Sequence, residues 1–137
     1  MIVTEDKAAA ILQWQKLVDA LLADVQRWSE PRGWTVRSTR IDVEERNIPL
    51  YSVSTWDVLK TPMHGPDAVT FEPRRRFDLT SDGRVDIYSA IHSLYMVRDD
   101  AKDDWRIMTP GAIPLHRHWN ERTFQATLQL LFELEAA

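Results

Sequence analysis

The stretch RRFDLTSDGRVDIYS, residues 75–89, decides how the middle of this chain is read. Ser81, Asp82 and Gly83 separate two runs of alternating apolar residues, Phe77 and Leu79 before them, Val85 and Ile87 after. Alternation with a period of two marks a half-buried strand, and a short polar connection ending in glycine marks a hairpin. A three-residue connection with Gly83 in the left-handed conformation sets Phe77 opposite Ile87, Leu79 opposite Val85 and Arg75 opposite Ser89. A two-residue Asp82–Gly83 turn would set Leu79 against Asp86 and lose the apolar pairing, so burial selects the first register. The other face then carries Asp78 opposite Asp86, and Arg76 opposite Tyr88. The stretch predicts an antiparallel sheet.

Toward the C-terminus, Arg84 to Arg98 reads as one long strand with a bend near Ser89–Ala90. An acidic turn, Asp99–Asp103, leads into a strand from Trp105 to Thr109, with Val97 opposite Trp105 and Tyr95 opposite Ile107. Pro110–His118 reads as a loop. Asn120 caps a final helix running to about Leu134, whose apolar side is Phe124, Leu128, Leu131 and Phe132. Toward the N-terminus, strands are predicted over Leu50–Leu59 and Trp34–Val43, joined by a turn at Glu44–Pro49. The face that the Leu50–Leu59 strand buries is open, because Tyr51, Val53 and Thr55 compete with Leu50, Trp56 and Val58. Before them, Ile11, Trp14, Val18, Leu21, Val25 and Trp28 recur every three or four residues, the stripe of a helix from Thr4 to Trp28 or Ser29. Thr4 suits its cap, and Pro31 and Gly33 end it. The fold class is α+β, an antiparallel sheet of about five strands flanked by an N-terminal and a C-terminal helix, as one domain over residues 1–137.

The 137-residue length and 44% apolar content suit a domain that folds without staples. There are no cysteines, which excludes disulfides, thiolate metal sites and thiol catalysis and fits a reducing, cytoplasmic setting. The net charge of -4 argues against general nucleic-acid binding. No apolar run approaches the ~20 residues that cross a bilayer, so no membrane partner is expected.

Arg74, Arg75 and Arg76 form the densest basic run. In a strand Arg74 and Arg76 share a face while Arg75 takes the other. With Asp78 and Asp86 they read first as an ion-pair network that relieves two facing carboxylates. A ligand or partner site is also drawn here, from Arg74, Arg76, Asp78, Asp86, Tyr88 and His92. His116 and His118 have the alternation of two metal ligands but no evident remainder of a ligand set, so no metal and no cofactor is assigned. Asp99, Asp100, Asp103 and Asp104 lack calcium-loop spacing. Phosphate-loop, HExxH and GxSxG motifs are absent, and no catalytic residue is assigned.

In the long-strand reading, Tyr88, Ala90, His92, Leu94 and Met96 lie opposite Val85, Ile87, Ile91, Tyr95 and Val97, and Met108 joins them. A sheet apolar on both faces has one helix on each, a partner on one, or both helices wrapped by a curved sheet. The second solution predicts a two-fold homodimer through a sheet face or edge, with Leu94, Met96 and Met108 at the interface. The function expected is a non-catalytic protein-interaction module: an adaptor, a chaperone-like protein or an immunity-type binder. The alternative is a small-molecule-binding domain or enzyme with a polar cleft around Arg76, Asp78 and Asp86.

Overall fold

A computed structural model describes residues 3–45, 48–60, 68–74, 83–99, 101–108 and 116–136; the side chains of residues 3–6, 116–117 and 135–136 are outside the description. Helix α1 spans Val3–Ser29. Ile11, Trp14, Val18, Leu21 and Val25 are all buried along one stripe, which is what the three- and four-residue spacing requires. A short 3-10 turn at Glu30–Arg32 follows, carrying Pro31, and Gly33 closes it at φ 72° with its N–H donated to the Glu30 carbonyl at 3.0 Å. That conformation costs glycine nothing. The proposed Thr4 cap lies outside the described side chains.

Among the described residues seven strands follow, against about five expected: β1 (Thr35–Val43), β2 (Tyr51–Leu59), β3 (Ala68–Arg74), β4 (Arg84–Tyr88), β5 (Ser93–Asp99), β6 (Asp104–Met108) and β7 (His116–His118). Each pairs antiparallel with the next, so spatial order is chain order. Helix α2 (Glu121–Ala136) closes the chain. Its cap is reciprocal: the Thr123 N–H donates to Asn120 Oδ1 at 3.0 Å, and the Asn120 N–H donates to Thr123 Oγ1 at 2.9 Å.

Both helices lie on one face of the sheet. Trp14 of α1 packs on Trp105 of β6 with ring centroids 6.0 Å apart, and Phe124 of α2 lies 6.4 Å from Phe71 of β3. Trp28 and Phe124 join the helices at 5.9 Å, and Trp56 stacks on Phe71 at 5.4 Å and 16°. Five of the six tryptophans are buried, in keeping with their reading as packing anchors. The competition along β2 has a divided outcome. Tyr51 and Val53 are buried at its start, Trp56 and Val58 at its end, so the strand changes the face it buries between them. Among the described residues, no helix is long and apolar enough to cross a membrane.

The central hairpin departs from the expected register. Ile87 faces Phe71 on one side and Leu94 on the other, and Val85 faces Pro73 and Met96, so neither pairs with Phe77 or Leu79. Residues 75–82 lie outside the described residues. Phe71 precedes Phe77 by six positions, an even number, so the displaced register presents the same kind of side chain to the same face. Gly83 has no positive φ; that conformation belongs to Gly33 alone among the described glycines. Gly83 is required by packing instead, because a β-carbon there would overlap the Trp14 ring.

The expected long strand is two strands. Ser89–His92 reverses the chain, with the Ser89 N–H donated to the His92 carbonyl at 2.8 Å. The reversal turns Leu94 and Met96 onto the helix-covered face beside Ile87 and Val85; Met96 is fully buried. Met108, opposite Tyr95, lies on the other face. The three proposed interface residues therefore do not form one surface, since Leu94 and Met96 face the helices and Met108 does not. The β5–β6 pairing is also one residue off expectation, with Arg98 opposite Trp105 and Met96 opposite Ile107, which keeps Met96, Arg98, Trp105 and Ile107 on the core side.

Candidate functional site

The outer face, away from both helices, brings the chemistry of β3, β4 and β5 together. The ladders place Glu72 opposite Asp86 and Asp86 opposite Tyr95; one step along, Arg74 lies opposite Arg84. Like charges directly opposite are unfavourable in a sheet. The arrangement is held by shared ion pairs: Asp86 accepts from Arg74 Nε at 2.8 Å through Oδ2 and from Arg84 Nε at 2.6 Å through Oδ1. Arg74 Nη2 reaches Glu72 Oε1 at 3.2 Å, and the Tyr88 hydroxyl donates to Glu72 Oε2 at 3.0 Å. The Arg84 guanidinium carbon sits 4.1 Å from the Tyr95 ring centroid, a cation–π contact. Beyond Tyr88, Thr70 Oγ1 donates to Asp57 at 2.6 Å.

Glu72, Arg74, Arg84, Asp86, Tyr88, Ser93, Leu94 and Tyr95 line a cleft of about 430 Å³. Burial raises the Tyr88 hydroxyl above its ordinary value of 10.0; its hydrogen bond to Glu72 and the carboxylates of Glu72 and Asp57 act the same way, opposed by Arg74. Tyr88 is therefore a neutral donor at physiological pH. Arg84 meets Asp86 through Nε, and its terminal nitrogens have no hydrogen-bond partner among the described residues. Its side chain is 50% exposed and that of Arg74 is 59% exposed, so both heads reach solvent.

Of the residues proposed from sequence, Arg74, Asp86 and Tyr88 meet in this cleft. Arg76 and Asp78 lie outside the described residues. His92 sits in the β4–β5 turn next to Ser93 and does not line the cleft. The facing carboxylates are present, with Glu72 where Asp78 was expected. Glu72, Arg84, Ser93 and Tyr95 were missed. The signal for the first two was the spacing Glu72-x-Arg74 against Arg84-x-Asp86, which becomes legible only once β3 is the partner of β4. Ser93 and Tyr95 required the reversal at Ser89–His92.

Elsewhere, His118 Nδ1 lies 2.6 Å from Asp104 Oδ2 on neighbouring strands. Among the described residues no group of three or more His, Asp or Glu side chains is placed to hold a metal ion. A groove of about 380 Å³ between α1 and β6 is lined by Trp28, Trp105 and Trp119 with Arg98, whose Nη2 pairs with Asp103. No family model, curated protein or solved structure matches this chain.

Proposed function

We propose that this protein is a ligand-binding domain that takes a small anion into the outer-face cleft of β3, β4 and β5. The observation that carries the reading is the doubly shared carboxylate. Asp86 fixes two arginines by their Nε atoms, while the outer nitrogens of Arg84 have no partner among the described residues. A pair of guanidinium groups already ordered by the fold loses little side-chain freedom when an anion arrives. The cleft falls within the range of small-molecule sites, roughly 300–1,000 Å³. The terminal nitrogens of Arg84 supply the recognition fork, beside an Arg74 held on Asp86 and Glu72.

Titration with millimolar acetate and phosphate, followed by amide resonances, tests this. Saturable shifts confined to residues 72–74, 84–88 and 93–95 support the reading. Non-saturating shifts spread over exposed arginines such as Arg27 and Arg37 overturn it.

The interaction-module reading loses Leu94 and Met96, which face the helices, but keeps one support. Strand β1 ends the sheet order, and Arg37 to Arg40 along it are exposed, leaving an edge to which a partner's strand can add. Proline at Thr39 should abolish capture of such a partner while leaving the outer-face cleft intact; retained capture would count against the edge.

A further inference from the structure

We infer that the cleft selects a carboxylate carried on a small apolar body, in preference to phosphate; this rests on the anion-binding reading above. The shape of the available donors is the first argument. A guanidinium has two edges that can meet a planar acceptor in parallel. Arg84 spends its Nε side on Asp86, which among the described residues leaves the edge formed by its two terminal nitrogens. That edge matches the two oxygens of a carboxylate as a fork matches a fork.

Charge supplies the second argument. Arg74 and Arg84 are matched by Glu72 and Asp86 in the same cleft, and Asp57 acts on Tyr88 from the adjoining row. Among the described residues the cleft therefore offers directional donors without a net positive field. A dianion gains little from its second charge there and meets these carboxylates at close range. A monoanion that is bound through hydrogen-bond geometry loses least.

The cleft also has an aromatic wall. Tyr95 is held beneath Arg84, and the Tyr88 ring continues the lining beside the donors. An apolar body laid against these rings leaves water while its carboxylate stays at the fork. The same chemistry is presented by a free aryl or alkyl acid and by the C-terminal carboxylate of a peptide with an apolar last residue.

The test is a titration of the full chain with four probes, read from the side-chain Nε–H signals of Arg74 and Arg84 and from the cleft amides. The probes are phenylacetate, N-acetylphenylalanine, N-acetylphenylalanine amide and inorganic phosphate. The expected result is saturable binding of one or both acids, with the amide and phosphate at least tenfold weaker. The tighter of the two acids identifies the source: phenylacetate for a free acid, N-acetylphenylalanine for a peptide terminus. Arg84→Lys, which keeps the charge and removes the fork, should weaken the acids at least tenfold with the core amide signals unmoved. Should the side chain also support the fold, the ratio of acid to phosphate affinity in the parent protein carries the same comparison. Phosphate binding more tightly than both acids would overturn the carboxylate assignment and leave the anion site standing. Equal binding of acid and amide, or no response to any probe, would overturn both.

Discussion

Replacing Gly83 with alanine adds one methyl group at a position where nothing in the local backbone objects. Gly83 has no positive φ, so an ordinary residue suits its backbone, and removing a glycine from a connection commonly stabilises by about 0.4–1 kcal/mol through the unfolded chain. The packing says the opposite. A β-carbon there would stand 3.0 Å from Trp14 Cη2 and 3.2 Å from Cε3, with Cζ3 nearer still. Trp14 is 1% exposed and has the Trp105 ring 6.0 Å away, so the indole has little room to retreat. The Gly83 backbone is tied as well, its carbonyl accepting the Arg98 N–H at 2.9 Å. Overpacking of this kind costs about 1–3 kcal/mol. We expect a net loss near 2 kcal/mol for Gly83→Ala, which for a chain of this size lowers Tm by on the order of 6–10 °C. Urea unfolding of Gly83→Ala and Gly83→Asn measures it. Asparagine is the substitute best tolerated where a left-handed conformation is the requirement, and it is larger than alanine, so packing predicts the greater loss for Gly83→Asn. Gly83→Asn more stable than Gly83→Ala, or Gly83→Ala as stable as the parent, would refute the reasoning.

Other outcomes follow from the same contacts. Met96→Asp should unfold the protein, because it buries an unpaired carboxylate in the core at a cost of about 3–5 kcal/mol; native circular dichroism with only an altered sedimentation mass would show that Met96 lies on an outer surface. In an alkaline titration at 295 nm, Tyr88 should ionise after an ordinary tyrosine, and Tyr88→Phe should remove that late component. Because its folded value is raised above 10.0, the stability tied to it is complete below pH 10 and declines as pH rises through the folded value; a stability curve flat across that range in the parent would contradict this. Asn120→Ala should cost about 1 kcal/mol by removing the acceptor for the Thr123 N–H, and an unchanged urea midpoint would count against the cap.

The helices were legible in the chain because their evidence is local. Ile11, Trp14, Val18, Leu21 and Val25 must share a side once the backbone is helical, and Asn120 needs only Thr123, three residues away, to make its cap. The α+β class and the antiparallel sheet follow from equally local alternation and turn residues. The pairing of strands does not. A period of two says which residues share a face and leaves the partner free to slide by any even number, so Phe71 and Phe77 were equivalent candidates for Ile87. Trp56, Phe124 and Trp119, which converge on Phe71 from distant parts of the chain, mark where the tertiary structure placed that choice. A bend near Ser89–Ala90 was legible but the full reversal over Ser89–His92 was not, since no glycine or proline signals it, and it decided that Leu94 and Met96 belong to the core. Of the residues that line the proposed cleft, the sequence by itself singled out Arg74, Asp86 and Tyr88. Only the folded sheet added Glu72, Arg84 and Tyr95, because a cross-strand ladder sets side chains about 5 Å apart whatever their separation along the chain.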